Sequence, residues 1–312
     1  MPLGIDLDVI PSRSEPVIPS VHLYDAAADM IIGQRSEQQD AVRLANVRLA
    51  GGRDALLLLV ADGMGGHLGG AVASRLAVDS FVERFETDQE IPDAQRLRSS
   101  LDSANLAIRD GVDEQPSVKG MGCTLVAALL CGRQIVWISV GDSLLLEASG
   151  GLLRRLNQDH SMAAVFDAQA ALGEISQEEA SNKIQRNMLR SALTGSKIAL
   201  IDEGSLSLSA GALLVVATDG ILTVPKEMLA NLAASATKPT DLVVALLAAI
   251  SIDMEIDQDN TTLAVARVPG SVTRPVSGDR PAPQAQRRFR FGVFGLIMVI
   301  LIFAASLGLL YL

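Results

Sequence analysis

Apolar residues along the chain fall into two spacings. Short runs at 55–61 (ALLLLVA), 124–130 (TLVAALL), 134–140 (QIVWISV), 212–218 (ALLVVAT) and 261–268 (TTLAVARV) are apolar or β-branched at nearly every position, the pattern of strands covered on both faces. Elsewhere the period lengthens. Within 72–85, Val78, Phe81, Val82 and Phe85 recur at i, i+3, i+4 and i+7, the stripe of an amphipathic helix. Residues 99–110 and 241–250 read as further helices. Ser176 with Glu179 three positions on forms a capping box that opens another helix along 176–189 (SQEEASNKIQRNML). The runs 124–130 and 134–140 flank a Cys-Gly-Arg turn, which predicts a hairpin and favours antiparallel sheets covered by helices over a doubly wound parallel sheet.

The same pattern sets the boundaries. Residues 1–20 have no period, contain Pro2, Pro11, Pro16 and Pro19, and carry Asp6 and Asp8 without a basic run, so they read as a flexible leader and not a secretory signal. Strand and helix patterns then alternate without a break over 21–268, the extent of one domain with no internal repeat. Residues 269–290 are a proline-rich linker ending in Arg287, Arg288 and Arg290. The stretch 291–312 is uncharged and apolar apart from Ser306 and Tyr311; as a helix it reaches about 33 Å, enough for a bilayer core. It predicts a single-pass C-terminal membrane anchor in contact with lipid. The arginines before it place the domain on the cytoplasmic side.

Composition narrows the chemistry. A net charge of −10 over 312 residues removes the basic face that nucleic-acid binding requires. Cys123 and Cys131 are the only cysteines, too few for a disulfide framework and lacking zinc spacing, and no C-x5-R loop marks a cysteine nucleophile. The aspartates say more. Asp62, Asp142 and Asp219 each sit where an apolar run ends, and Asp259 directly precedes the last run. Taken singly, Asp-Gly at 62–63 or 219–220 is ordinary turn composition. Brought together at strand ends, the carboxylates would repel one another unless cations lay between them. Hard oxygen ligands without a His or Cys cluster suit Mg²⁺ or Mn²⁺. Two such ions supply a water that loses a proton near neutral pH and attacks phosphorus in line. Arg35 offers a planar fork for phosphate oxygens.

In order along 32–268, the motifs GQRSEQQDA (33–41), VADGMGGHLGG (60–70), GMGCTLVAALL (120–130), SVGDSLLLEASGGLLRRLNQDHS (139–161), RNMLRSALTGS (186–196), ATDGIL (217–222) and DNTTLAVARV (259–268) resemble those of the metal-dependent protein phosphatases, the PPM or type 2C family, in bacterial form. The resemblance implies an α+β fold, a four-layer αββα sandwich of two antiparallel sheets flanked by helices, with the metals at one end between the sheets. It implies that Asp62 bridges two Mn²⁺ or Mg²⁺ ions, that the Gly63 carbonyl binds one, and that Asp219 and Asp259 complete a site. Asp40 would act through water, Asp142 would help hold a third ion, and Arg35 would hold the substrate phosphate. Residues 161–186 fall where the family has a mobile flap.

The expected activity is hydrolysis of phosphoserine and phosphothreonine in proteins at a membrane, in signal transduction opposite a cognate Ser/Thr kinase. Three positions depart from the family pattern. Gln39 stands where Glu is common, Leu144 replaces the arginine of GDSR, and Met64 takes the place of a histidine used as general acid in eukaryotic members. Gln39 and Leu144 leave open a catalytically weak pseudophosphatase that binds phosphoproteins as a regulatory module. His67 and His160 read as structural hydrogen-bonding residues.

Overall fold

A computed structural model of the chain describes residues 24–66, 68–181, 183–252 and 258–270. The leader 1–20, most of the linker 269–290, the predicted membrane span 291–312 and His67 lie outside the described residues. Among the described residues no helix is long and apolar enough to cross a membrane.

The elements follow as β1 (Ala26–Ile31), β2 (Ala41–Arg48), β3 (Asp54–Ala61), β4 (Gly63–Met64), α1 (Gly69–Thr87) and α2 (Asp93–Glu114), then β5 (Gly122–Cys123), β6 (Leu125–Cys131), β7 (Gln134–Val140), β8 (Leu144–Ser149) and β9 (Leu152–Arg155). Three short helices come next, α3 (Met162–Ala171), α4 (Gln177–Ala180) and α5 (Lys183–Arg186), followed by β10 (Asp202–Ser207), β11 (Leu213–Ala217), α6 (Lys226–Ser235), α7 (Pro239–Ile252) and β12 (Thr261–Arg267).

Two five-stranded sheets form, ordered β1-β12-β11-β8-β9 and β10-β7-β6-β3-β2. Every pairing is antiparallel. The period-2 geometry of strands explains why β3 is apolar throughout. Leu57 and Leu59 face Phe81 and Phe85 of α1 and Leu97 and Leu101 of α2. Leu56, Leu58 and Val60 face the other way, into a core shared with Leu214 and Val216 of β11 and Ala264 of β12. On the far side of that first sheet, Leu144, Val215 and Leu263 pack against Leu229 of α6 and Leu242, Leu246 and Ile250 of α7. The result is helices, sheet, sheet, helices, the αββα sandwich expected from the motifs.

The predicted hairpin is β6–β7, with Leu125 opposite Val140 and Gly132 at φ 58° in the turn, a conformation costly for any residue with a Cβ. Helices α1, α2 and α7 extend past their predicted ends. The single helix expected over 176–189 is a correction. Its capping box is present, Ser176 and Glu179 each bonding the other's backbone N–H, yet α4 stops at Ala180. There the Ser181 hydroxyl folds back onto the Gln177 carbonyl at 2.6 Å, and the Arg186 guanidinium takes the Ala180 carbonyl at 2.8 Å. Side-chain bonds of this kind compete with the next helical turn.

Candidate metal centre

Strand direction and register bring the aspartates to one end of the sandwich. Asp40 precedes β2 and Asp62 follows β3; the strands pair with Ala41 opposite Ala61, so the two carboxylates leave the sheet side by side. Asp219 follows β11, and Asp259 lies just before β12, whose Leu263 pairs with Ala217. Asp142 follows β7, beyond Val140, which pairs with Leu125.

Each position is fixed by local bonds. The Thr218 hydroxyl donates to Asp40 Oδ2 at 3.0 Å, while Asp40 Oδ1 is buried and meets no donor. The Asp62 amide donates to Thr124 Oγ1 at 3.1 Å, and the Thr124 amide returns a bond to the Asp62 carbonyl at 2.9 Å. Gly63 is there because nothing larger fits: a Cβ would lie 2.2 Å from the Gly70 carbonyl oxygen and 2.3 Å from that of Gln39. The loop 33–39 is tied to the last turn by Asn260, whose Oδ1 accepts from the Gln39 amide at 2.8 Å. Its Nδ2 donates to the carbonyls of Ile32 and Glu37 at 2.8 and 3.0 Å. Arg35 is carried on this loop, half exposed, with Nη2 2.7 Å from Asp259 Oδ2.

The electrostatics record how crowded the cluster is. Burial, then the charges of Asp219 and Asp259, push the Asp40 carboxyl up to about 7 against two opposing threonine hydroxyls. Burial, then Asp219 and Asp159, lift Asp142 to about 7. Asp62 is pushed well above the usual carboxylate range by burial and by Asp40, Asp219, Asp142 and Asp259. Asp219 is raised by burial and by Asp259, with a hydrogen bond to Asp62 acting the other way. Asp40, Asp62, Asp142 and Asp219 are thus each raised by burial and by at least one other carboxylate of the cluster. Among the described residues no three acidic, His or Cys side chains close on an ion unaided. Mg²⁺ and Mn²⁺ accept that arrangement, since they keep several waters and use few carboxylates.

Two of the three departures, Leu144 and Gln39, have structural explanations. Leu144 is 4% exposed and packs into the core against α6 and α7. Gln39 is pinned through its backbone, its carbonyl accepting from Ser74 Oγ at 2.6 Å, and its side-chain oxygen lies where a Cβ on Gly70 would fall, 2.5 Å away. His160 is 3% exposed and accepts the Gly141 amide at Nδ1, 3.3 Å, the structural role expected of it. Thr124, Thr218 and Asn260 were not read from the sequence as site residues; Thr218 and Asn260 adjoin Asp219 and Asp259 in the chain, whereas Thr124 reaches Asp62 only through the fold.

Residues 30–249 match the family described as Protein phosphatase 2C. A serine/threonine phosphatase named stp from Listeria monocytogenes is 31% identical over 175 residues, 55% of this chain and 68% of the relative. Among solved structures, the serine/threonine phosphatase Stp1 from Staphylococcus aureus is similar at a TM-score of 0.68 and 26% identity, over 84% of this chain and 100% of that one. The catalytic domain of the serine/threonine protein phosphatase PstP in complex with 2 manganese ions is similar at 0.64 and 27%, over 78% and 97%.

Proposed function

The chain belongs to the protein phosphatase 2C family, and on that premise we propose that it is a metal-dependent hydrolase of phosphoserine and phosphothreonine in proteins, held at the cytoplasmic face of a membrane by residues 291–312. The observation that carries the chemistry is the convergence of Asp40, Asp62, Asp142, Asp219 and Asp259, four of them with carboxyls raised by burial and by one another. A buried carboxylate oxygen on Asp40 without a donor is the second mark of a cation site. The donor set is all oxygen, which fits Mn²⁺ or Mg²⁺, and the manganese held by the PstP catalytic domain supports that choice.

In this reading Asp62 and the Gly63 carbonyl would hold two ions together with Asp219 and Asp259, Asp40 would act through water, and Asp142 would help hold a third. When bound, the ions lower the pKa of a coordinated water and neutralise phosphate charge. The chain's own residues do the rest. Thr124 and Thr218 orient Asp62 and Asp40 through their hydroxyls. Arg35 engages Asp259 through one nitrogen, and a guanidinium has further donors with which to clamp a phosphate. Substrates are phosphoproteins, and a Ser/Thr kinase acting on the same sites is the matching partner. The charged linker end, Arg287, Arg288 and Arg290, sets the orientation at the bilayer.

The test is Mn²⁺-dependent phosphate release from a phosphothreonine peptide by the full chain. Asp62→Asn is expected to lower the rate by about a hundred- to a thousandfold, as loss of a principal electrostatic group does. Release absent from the wild type, or unchanged in the variant, defeats the reading. Membrane fractionation with and without 291–312 tests the anchor, and a full chain found only in the soluble fraction removes it.

A further inference from the structure

The turn carrying Asp142 is held almost entirely by one neighbouring stretch, residues 155–160. Asn157 Nδ2 donates to the Ser143 carbonyl at 2.9 Å while its Oδ1 accepts the Leu145 amide at 2.8 Å. The His160 amide donates to the Gly141 carbonyl at 3.1 Å. Gly141 itself sits at φ +100°, and a Cβ there would lie 2.6 Å from the Thr124 side chain, so the turn requires glycine at this position.

Arg155 completes the clamp. Its Nη2 donates to the Asp142 carbonyl at 2.8 Å and to the Ser143 carbonyl at 3.4 Å; Nη1 pairs with Asp159 at 3.0 Å, and Nε reaches Asn157 Oδ1 at 3.4 Å. The side chain is about a quarter exposed and is spread flat across the turn by these partners. Asp159 in turn accepts the Ser161 amide and hydroxyl at 2.8 and 2.6 Å, and Ser161 caps α3. Ser161 also bridges antiparallel to Leu189, which closes the base of the 162–188 excursion. One guanidinium thus joins the Asp142 turn to the base of the segment that sits where the flap is expected.

We propose that Arg155 is the positioning residue of Asp142: by gripping the Asp142 carbonyl while anchored on Asp159, it sets the affinity of the third, most loosely held divalent cation without touching it. The inference rests on the reading of Asp142 given above. A guanidinium does this where an ammonium does not, because its fork serves a carbonyl and a carboxylate at once. Loss of such an outer partner typically weakens a metal site by about ten- to a hundredfold.

The experiment titrates the full chain with MnCl₂, following free Mn²⁺ by electron paramagnetic resonance to obtain the number of sites and each dissociation constant. Arg155→Leu is expected to weaken the weakest site by about tenfold or more and leave the tighter pair unchanged. Arg155→Lys, which keeps the charge but only one of the two grips, is expected to fall between. A weak site unaltered in Arg155→Leu, or all sites weakened alike, overturns the proposal. Should Arg155→Leu fail to fold, Asp159→Asn removes the anchor and is expected to weaken the same site by a smaller factor; no change there is equally fatal. Asp142→Asn separates the two readings. If it retains the third ion, both fall; if it loses the ion while Arg155→Leu keeps it, only the role of Arg155 falls.

Discussion

Replacing Asp40 by Asn is expected to stabilise the metal-free protein at alkaline pH while weakening it as a metal-binding enzyme. Asp40 is 7% exposed, and its carboxyl is pushed from the ordinary 3.8 up to about 7, chiefly by burial and then by Asp219 and Asp259. A raised carboxyl holds its proton more tightly in the folded state. The stability this contributes is complete below the unfolded value and is lost as pH climbs through about 7. At about 1.4 kcal/mol per pH unit, the loss between pH 5 and pH 8.5 is on the order of 3 kcal/mol. Asparagine has the same shape, still accepts the Thr218 hydroxyl, and can bring an NH₂ to the side where Asp40 Oδ1 meets no donor. Urea unfolding in EDTA at the two pH values checks it. The gap between variant and wild type should grow in favour of the variant by about 3 kcal/mol from the lower pH to the higher. Saturating Mn²⁺ should reverse the order, because only the carboxylate gains from the ions. A variant no more stable than wild type at pH 8.5 in EDTA would show that burial and the neighbouring carboxylates do not raise Asp40 as described.

Asn260→Ala removes the three bonds that tie the 33–39 loop to the last turn; a loss of about 2–3 kcal/mol in urea unfolding is expected, with weaker Mn²⁺ binding alongside. Gly63→Ala forces a Cβ against two backbone carbonyls, so the variant should be inactive in the phosphopeptide assay even where it remains soluble, and full activity would contradict the close approach described here. Leu144→Arg restores the residue common in the family yet buries a charge in the apolar layer under α6 and α7. A drop of about 3 kcal/mol or more is expected, with no gain in kcat.

The sequence disclosed what depends on local composition. The central strands could be read because burial on both faces leaves an unbroken apolar run, as in β3, whose Ala55 to Ala61 are 0% exposed. Strands that alternate or contain small polar residues were not singled out: β10 (DEGSLS) is half exposed, and β1 (AAADMI) owes its place to pairing with β12 more than to its own residues. The flap helix divides at Ser181 because side-chain bonds and not propensity decide the turn. Aspartates at strand ends were visible in the chain. Thr218, Asn260 and Arg155 were not, since a threonine 178 residues from Asp40 becomes its partner only through register. Leu144 shows the reverse case, where a departure from a motif reads as a catalytic question until packing assigns it to the core.

The position of β12 has a consequence for how activity arises during synthesis. It is the last strand of the described chain, yet it lies inside its sheet, between β1 and β11. Until residues 259–267 have been made, Asp62 and Asp219 lack their late partner, and β1 and β11 both present open edges where a chain can pair wrongly. A chain that has not yet added these residues lacks one carboxylate of the centre and leaves two strand edges unpaired. The sheet and the metal centre are thus completed by the same strand, β12.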